Sequence, residues 1–312
     1  HVKDIRPWGA DDRLRETGLK EDWEHRAQEN QERVRLEIEL WCRQSPEEQE
    51  KSLKAVEKII GQSSGSIVTK SLIPEIAYHA VLVDLPIAEV EKIIKNRNTE
   101  LVLCDKVMYF RPVGQSIASL PVEQPNEDGI RVPSQVPAGE PIVALFDGVP
   151  LGNHQLLDNR ITLDDPDGWE RDYLATERFH GTAMASLILH GELDAQDEPL
   201  SSPLYVRPIF KPDRKDFATP PRFEIIPENV LVVDLIYRSV KRLFDGEGEE
   251  PAVAEKIRII NLSLGIPGKP FVDRFPSALS RLLDFLSHKY RVLFIVSAGN
   301  CGSRIEIGER VD

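Results

Sequence analysis

The chain has 312 residues, 41% of them apolar, with 39 Lys and Arg against 52 Asp and Glu. The resulting formal charge of −13 argues against a nucleic-acid surface, which needs clustered cations to displace counterions. No run of about 18 uncharged apolar residues offers a membrane span, and the first residues lack the charged-then-apolar pattern of a secretory signal.

Near the N-terminus, Trp23, Ala27, Val34, Ile38 and Trp41 recur at helical spacing amid charged residues. This predicts a helical segment over 1–45 that packs its stripe on a neighbouring domain; a partner-binding helix is the alternative. Ser45-Pro46-Glu47-Glu48 starts another helix, with serine as cap, proline in the first turn and Glu48 placed for a capping box. Leu53, Val56 and Ile60 give its buried face, and Gly61 its end.

Residues 66–69 and 77–83 read as strands. The second places Tyr78, Ala80 and Leu82 on one face and Ala77, His79, Val81 and Val83 on the other. A short helix follows Pro86, and 101–104 and 107–110 read as extended. Together, 46–112 is expected to form a small α+β domain of split-βαβ, ferredoxin-like type. His79 has no clustered partners and reads as structural. Residues 113–140 are rich in proline and read as a linker.

From 141 to 312 the pattern changes. Residues 142–146, 204–210, 257–261 and 292–296 are continuous apolar runs, as expected of parallel strands covered on both faces. Helical stretches at 182–190, 230–244 and 277–289 lie between them. The expected fold is α/β, with a doubly wound parallel sheet.

In such a sheet ligands bind beyond the carboxyl ends of the strands. Three runs end alike, each with a polar residue beside a glycine: Asp147-Gly148, Asn261-Leu262-Ser263-Leu264-Gly265, and Ser297-Ala298-Gly299-Asn300. Glycine there permits close backbone approach to a ligand. A fourth stretch, FHGTAMASLILHG at 179–191, places His180 at a helix N-terminus, where the macrodipole disfavours imidazolium. A carboxylate at an adjacent strand end would hold the ring's tautomer and stabilise its cation, and Asp147 is the candidate. The simpler alternative is a lone histidine at a helix cap. Asp158, Asp164, Asp165 and Asp167 suggest either a cation site or a solvated acidic loop, and the loop is the better reading. No metal and no cofactor are expected.

These stretches resemble the subtilisin-like serine peptidases (subtilases). IVALFDGVPLGNHQLL is similar to the block carrying the family's catalytic Asp, with DGVP in place of the commoner Asp-Ser-Gly or Asp-Thr-Gly. HGTAMASLILHG is similar to its His block, IINLSLG to its substrate-lining strand, and LFIVSAGN to the strand delivering the oxyanion-hole Asn. The resemblance covers most of 141–300. It implies that Asp147 orients His180, that His180 is general base and then general acid, and that Asn300 stabilises the oxyanion. It further implies that Ser263, Leu264 and Gly265 pair with a peptide substrate, and that Ser297, Ala298 and Gly299 line its P1 pocket. The 46–112 domain resembles the family's propeptide in order and position, and 113–140 would be the connection cut or threaded through the cleft.

The family's nucleophile lies in a Gly-Thr-Ser-x-Ala-like block after the Asn. The only Gly-Thr here is Gly181-Thr182, so the resemblance implies a C-terminal remainder that supplies the serine and completes the sheet. These 312 residues alone are expected to be inactive. The alternative function is a catalytically inactive regulatory or peptide-binding module. Cys42, Cys104 and Cys301, odd in number and scattered, suit reduced thiols and a cytoplasmic location. The N-terminal extension also resembles cytoplasmic bacterial subtilases encoded beside an AAA-type ATPase and associated with phage defence, which implies such an ATPase as a partner. No nucleic acid and no membrane partner are expected.

Overall fold

The computed structural model describes residues 6–113, 116–117, 136–192, 198–213, 222–264 and 276–297. No helix among the described residues is long and apolar enough to cross a membrane. The fold is mixed α/β, with a four-stranded antiparallel sheet, a three-stranded one and a five-stranded parallel sheet.

The antiparallel sheet begins earlier than the helical stripe implied. Helices α1 (Ala10–Leu14) and α2 (Leu19–Gln28) are present, but Arg33–Trp41 is strand β1. The stripe through Val34 and Ile38 is also an alternation, Val34-Leu36-Ile38-Leu40, and those four residues are fully or almost fully buried. A period of two, completed by pairing on both edges, wins over a period of 3.6 with no cap.

Helix α3 (Pro46–Gln62) runs past Gly61, and the Ser45 side chain makes no capping bond. Strands β2 (Ser66–Ile73) and β3 (Tyr78–Pro86) follow, then α4 (Ile87–Lys95), α5 (Glu100–Leu103) and β4 (Val107–Pro112). Residues 101–103, expected to be extended, are helical because Thr99 caps them, accepting a bond from the Val102 amide. The strand order is β2-β3-β1-β4.

Both faces of β3 divide as its alternation predicts. Val81, Val83 and Leu85 pack with β1 under the α3 residues Val56 and Ile60 and the α4 residues Val90 and Ile93. Tyr78, Ala80 and Leu82 face the opposite way, into a core shared with the second half of the chain. Burying both faces of an antiparallel sheet needs cover on the second side. Here α7 (Val232–Phe244) and α8 (Ala278–Tyr290) supply it through Leu235, Ile236, Val240, Leu282 and Leu286.

After β5 (Ser116–Ile117), the parallel sheet comprises β6 (Val143–Asp147), β7 (Ile161–Leu163), β8 (Leu204–Pro208), β11 (Ile259–Leu262) and β12 (Leu293–Val296), in the order β12-β11-β6-β8-β7. Strand β7 had no sequence signal strong enough to be expected. Helix α6 (Phe179–His190) packs Ala185 and Leu189 against Leu145, Leu204 and Val206, while α7 and α8 lie on the other face with Phe146, Ile260 and Leu262. Helices thus cover both faces, as expected of a doubly wound sheet.

The order of connections reverses between β6 and β11, which is where such sheets form their crevice. Beside it lies the three-stranded antiparallel sheet of β5, β10 (Glu224–Ile225) and β9 (Lys211–Pro212), ordered β5-β10-β9. Residues 116–117, within the expected linker, are therefore strand-paired.

Candidate active site

Asp147 is the last residue of β6 and is fully buried. His180 is in the first turn of α6, with its side chain 17% exposed. The sequence expectation that these two meet holds: His180 Nδ1 lies 2.6 Å from Asp147 Oδ1. A carboxylate opposite Nδ1 assigns that nitrogen the proton, leaving Nε2 as the basic position. The same Asp147 oxygen accepts a 2.6 Å bond from the Gly148 amide, while Oδ2 is buried and has no hydrogen-bond partner.

Small residues bring the strand end and the helix together. A Cβ on Gly181 would lie 2.6 Å from the Gly148 carbonyl oxygen, so only glycine lets the first turn of α6 touch the turn after β6. The Thr182 hydroxyl accepts a 2.8 Å bond from the Leu151 amide and donates to the Arg178 carbonyl, tying that turn to the helix. The HGT sequence is therefore an assembly device as well as a source of imidazole.

The hydrogen bond to Asp147 raises the pKa of His180, against the opposing effect of burial, with a further contribution from Glu224. The carboxylates outweigh the helix-terminus effect that alone would favour a neutral ring.

Glu224 was not anticipated from the sequence. It sits on β10, 6% exposed, and a Cβ on Gly148 would run into its carboxyl group. Its Oε1 is 2.6 Å from the Tyr173 hydroxyl, which also lies 3.1 Å from the Phe210 carbonyl. One donor atom each from Asp147, His180 and Glu224 lie within 4.8 Å of one another. Burial, then the charge of Asp147, push the Glu224 pKa up to about 7. The one available signal was a glutamate inside the short apolar run of Phe223, Ile225 and Ile226, in a stretch without periodicity. A His with two carboxylates is also a donor set that divalent cations take. The Asp147 contact claims Nδ1 and leaves Nε2 as the ring nitrogen open to a proton or a cation.

The other predicted positions divide into two groups. Ser263 and Ser297 follow β11 and β12; β11 pairs in register with β6 and β12 with β11, so that Leu262 is opposite both Phe146 and Val296. Asp147, Ser263 and Ser297 therefore occupy equivalent positions at three neighbouring strand ends. Ser263 donates a 2.8 Å hydrogen bond to Asn261 Oδ1. Leu264 is buried in the core shared with α7 and α8. Gly265, Ala298, Gly299 and Asn300 lie outside the described residues.

The acidic loop is more engaged than a solvated loop would be. Asp164 accepts bonds of 2.8 and 3.1 Å from Arg242 and another from the Tyr205 hydroxyl, and Asp167 accepts one of 2.6 Å from the buried Arg207. These pairs anchor the loop to β8 and α7. Cys42 and Cys104 are free thiols.

No protein-family model matches the chain, and no curated protein matches it.

Proposed function

We propose that the chain carries the acid–base half of a subtilisin-like serine endopeptidase. Asp147 orients His180, and His180 is the general base and then the general acid for a serine supplied by sequence beyond residue 312 or by a second chain. The observation that carries this reading is the 2.6 Å contact between Asp147 and His180 Nδ1, at the carboxyl end of a central parallel strand. Nε2 is then free to take a proton from a hydroxyl. Asn300 is the proposed oxyanion donor, worth about 3 kcal/mol of transition-state stabilisation. Ser263, Leu264 and Gly265 are the proposed backbone-pairing edge, and Ser297, Ala298 and Gly299 the proposed P1 wall.

In the same reading the antiparallel unit is propeptide-like and ferredoxin-like, which its β1-α3-β2-β3-α4-β4 run and β2-β3-β1-β4 order support. A cytoplasmic setting, an AAA-type ATPase partner and a place in phage defence rest on the sequence resemblance. Identifying chains that co-elute with the native protein tests the ATPase partner.

The test is to express the protein with its native downstream coding sequence and treat it with a fluorophosphonate probe. Covalent labelling that disappears in His180→Ala is expected. No labelling, or labelling that survives the substitution, overturns the reading.

A second reading is a peptide-binding module without catalysis. The observation favouring it is the outer edge of β12, which no described strand pairs. Leu293, Ile295 and Val296 are 60%, 48% and 46% exposed there, a surface that an added strand would cover. Peptide binding by a protein whose downstream sequence holds no reactive serine decides for it.

A further inference from the structure

Glu224 is placed where neither the dyad nor the fold requires a carboxyl group. Strand β10 is two residues long, and its pairing with β5 and β9 uses only backbone. The side chain nevertheless turns inward over Gly148, against Asp147 and His180.

Counting protons shows what state fits there. The Tyr173 hydroxyl has one hydrogen and two acceptors in reach, the Phe210 carbonyl at 3.1 Å and Glu224 Oε1 at 2.6 Å. If Glu224 is ionised, one of those contacts has no proton. If it is protonated, Glu224 donates to the phenol oxygen and the phenol donates to Phe210, and both are satisfied. Two buried carboxylates this close also cannot both ionise cheaply, and Asp147 already has the imidazole and the Gly148 amide as donors.

The remaining charged groups around Glu224 do not offset this. Glu177, another negative neighbour, is held by Arg222 through bonds of 2.6 and 2.7 Å. His180 is therefore the titratable cation left to face Glu224 among these described neighbours.

We propose that Glu224 is a positioning residue of the dyad, a carboxyl group that, between the two titration steps it shares with His180, keeps its proton while the ring is neutral and releases it when the ring becomes a cation. Before and after that exchange the unit of Asp147, His180 and Glu224 carries one net negative charge. The proton lost by Glu224 is matched by the one gained at Nε2, both exchanged with water. Glu224 thereby adds a second carboxylate beside the imidazolium only when the imidazolium exists. The three groups titrate as one coupled unit rather than as a dyad with a bystander. A role in catalysis rests on the peptidase reading above; the coupling itself does not.

The experiment is a pH titration of this chain by NMR, following the side-chain carboxyl carbon of Glu224 and the ring nitrogens of His180, in the wild type and in Glu224→Gln. In the wild type both signals are expected to move in the same two steps. In Glu224→Gln the His180 ring should titrate in a single step at lower pH. A Glu224 carbon that titrates as an ordinary exposed carboxylate overturns the proposal, as does a His180 curve unchanged by the substitution. The first of these needs no variant, so a misfolded Glu224→Gln protein leaves the test intact. Because the readout is a titration, it is decided separately from whether a nucleophile is ever found.

Discussion

Two buried polar clusters lie about the same core and are built on opposite principles. Between the antiparallel sheet and α8, Glu39 of β1 is fully buried yet meets two arginines, Arg111 of β4 and Arg281 of α8, the latter at 2.8 Å; Arg111 also reaches Glu37 at 3.2 Å. Opposite charges alternate, and their geometry fixes how sheet and helix meet. At the carboxyl end of β6, two carboxyl groups and an imidazole crowd together, and among the described residues no arginine or lysine is bonded to them. Paired charges hold elements in place. Like charges forced together create groups whose protonation is finely balanced, which is the raw material of acid–base chemistry.

Removing single atoms sharpens this contrast. The largest effect is expected for Asp147→Asn in the complete protein. Losing the carboxylate that sets the His180 tautomer should lower the rate of fluorophosphonate labelling by about 10³ to 10⁴ with little change in denaturation midpoint. A loss below tenfold would put Asp147 in the structural class. Next comes Glu39→Gln, which leaves Arg281 with no described carboxylate and should cost about 3 kcal/mol in urea denaturation. A neutral result would mean that the interface does not depend on its alternating charges.

Glu224→Gln should act in the opposite direction. A carboxyl group whose pKa is raised in the folded state favours folding below its unfolded value and loses that contribution as pH rises through its folded value. Glu224, raised from 4.5 to about 7, therefore weakens the fold progressively across that interval. His180, also raised, has the same sign. Above pH 7 the glutamine variant should be more stable than the wild type by roughly 3 kcal/mol, and at the acid end of the interval the two should converge. Equal stability throughout would mean that Glu224 ionises without penalty.

The smallest effect contrasts two orphan oxygens. Tyr78 Oη, like Asp147 Oδ2, is buried with no hydrogen-bond partner. In the structural region that group has no task, so Tyr78→Phe should be neutral or stabilising, by up to about 1 kcal/mol. A clear loss of stability would show that the hydroxyl is engaged.

The difference between the clusters also explains what the sequence disclosed. Parallel strands β6, β8 and β11 were legible because strands covered on both faces are apolar throughout, β12 because its run is equally apolar although it lies half exposed at the sheet edge, and Asp147 and His180 because both sit at marked ends of such elements. Strand β1 was misread because Val34 and Ile38 belong to both a helical and a strand period. Its alternate residues Glu37 and Glu39 are charged, yet they are buried against partners distant in sequence, Arg111 and Arg281. Glu224 was invisible for a related reason. Its strand is two residues long and owes its existence to pairing with β5 and β9, and nothing local announces that its side chain reaches a turn far away in sequence.

Whether His180 and Asp147 form an acid–base dyad with its proton on Nδ1 is decided by a nitrogen-15 spectrum of the His180 ring. A dyad of this kind gives a neutral ring protonated at Nδ1, a strongly hydrogen-bonded proton on that nitrogen that vanishes in Asp147→Asn, and ring protonation that persists above the ordinary histidine value of about 6.5. A ring protonated at Nε2, or one that loses its charge at or below that ordinary value, would contradict it.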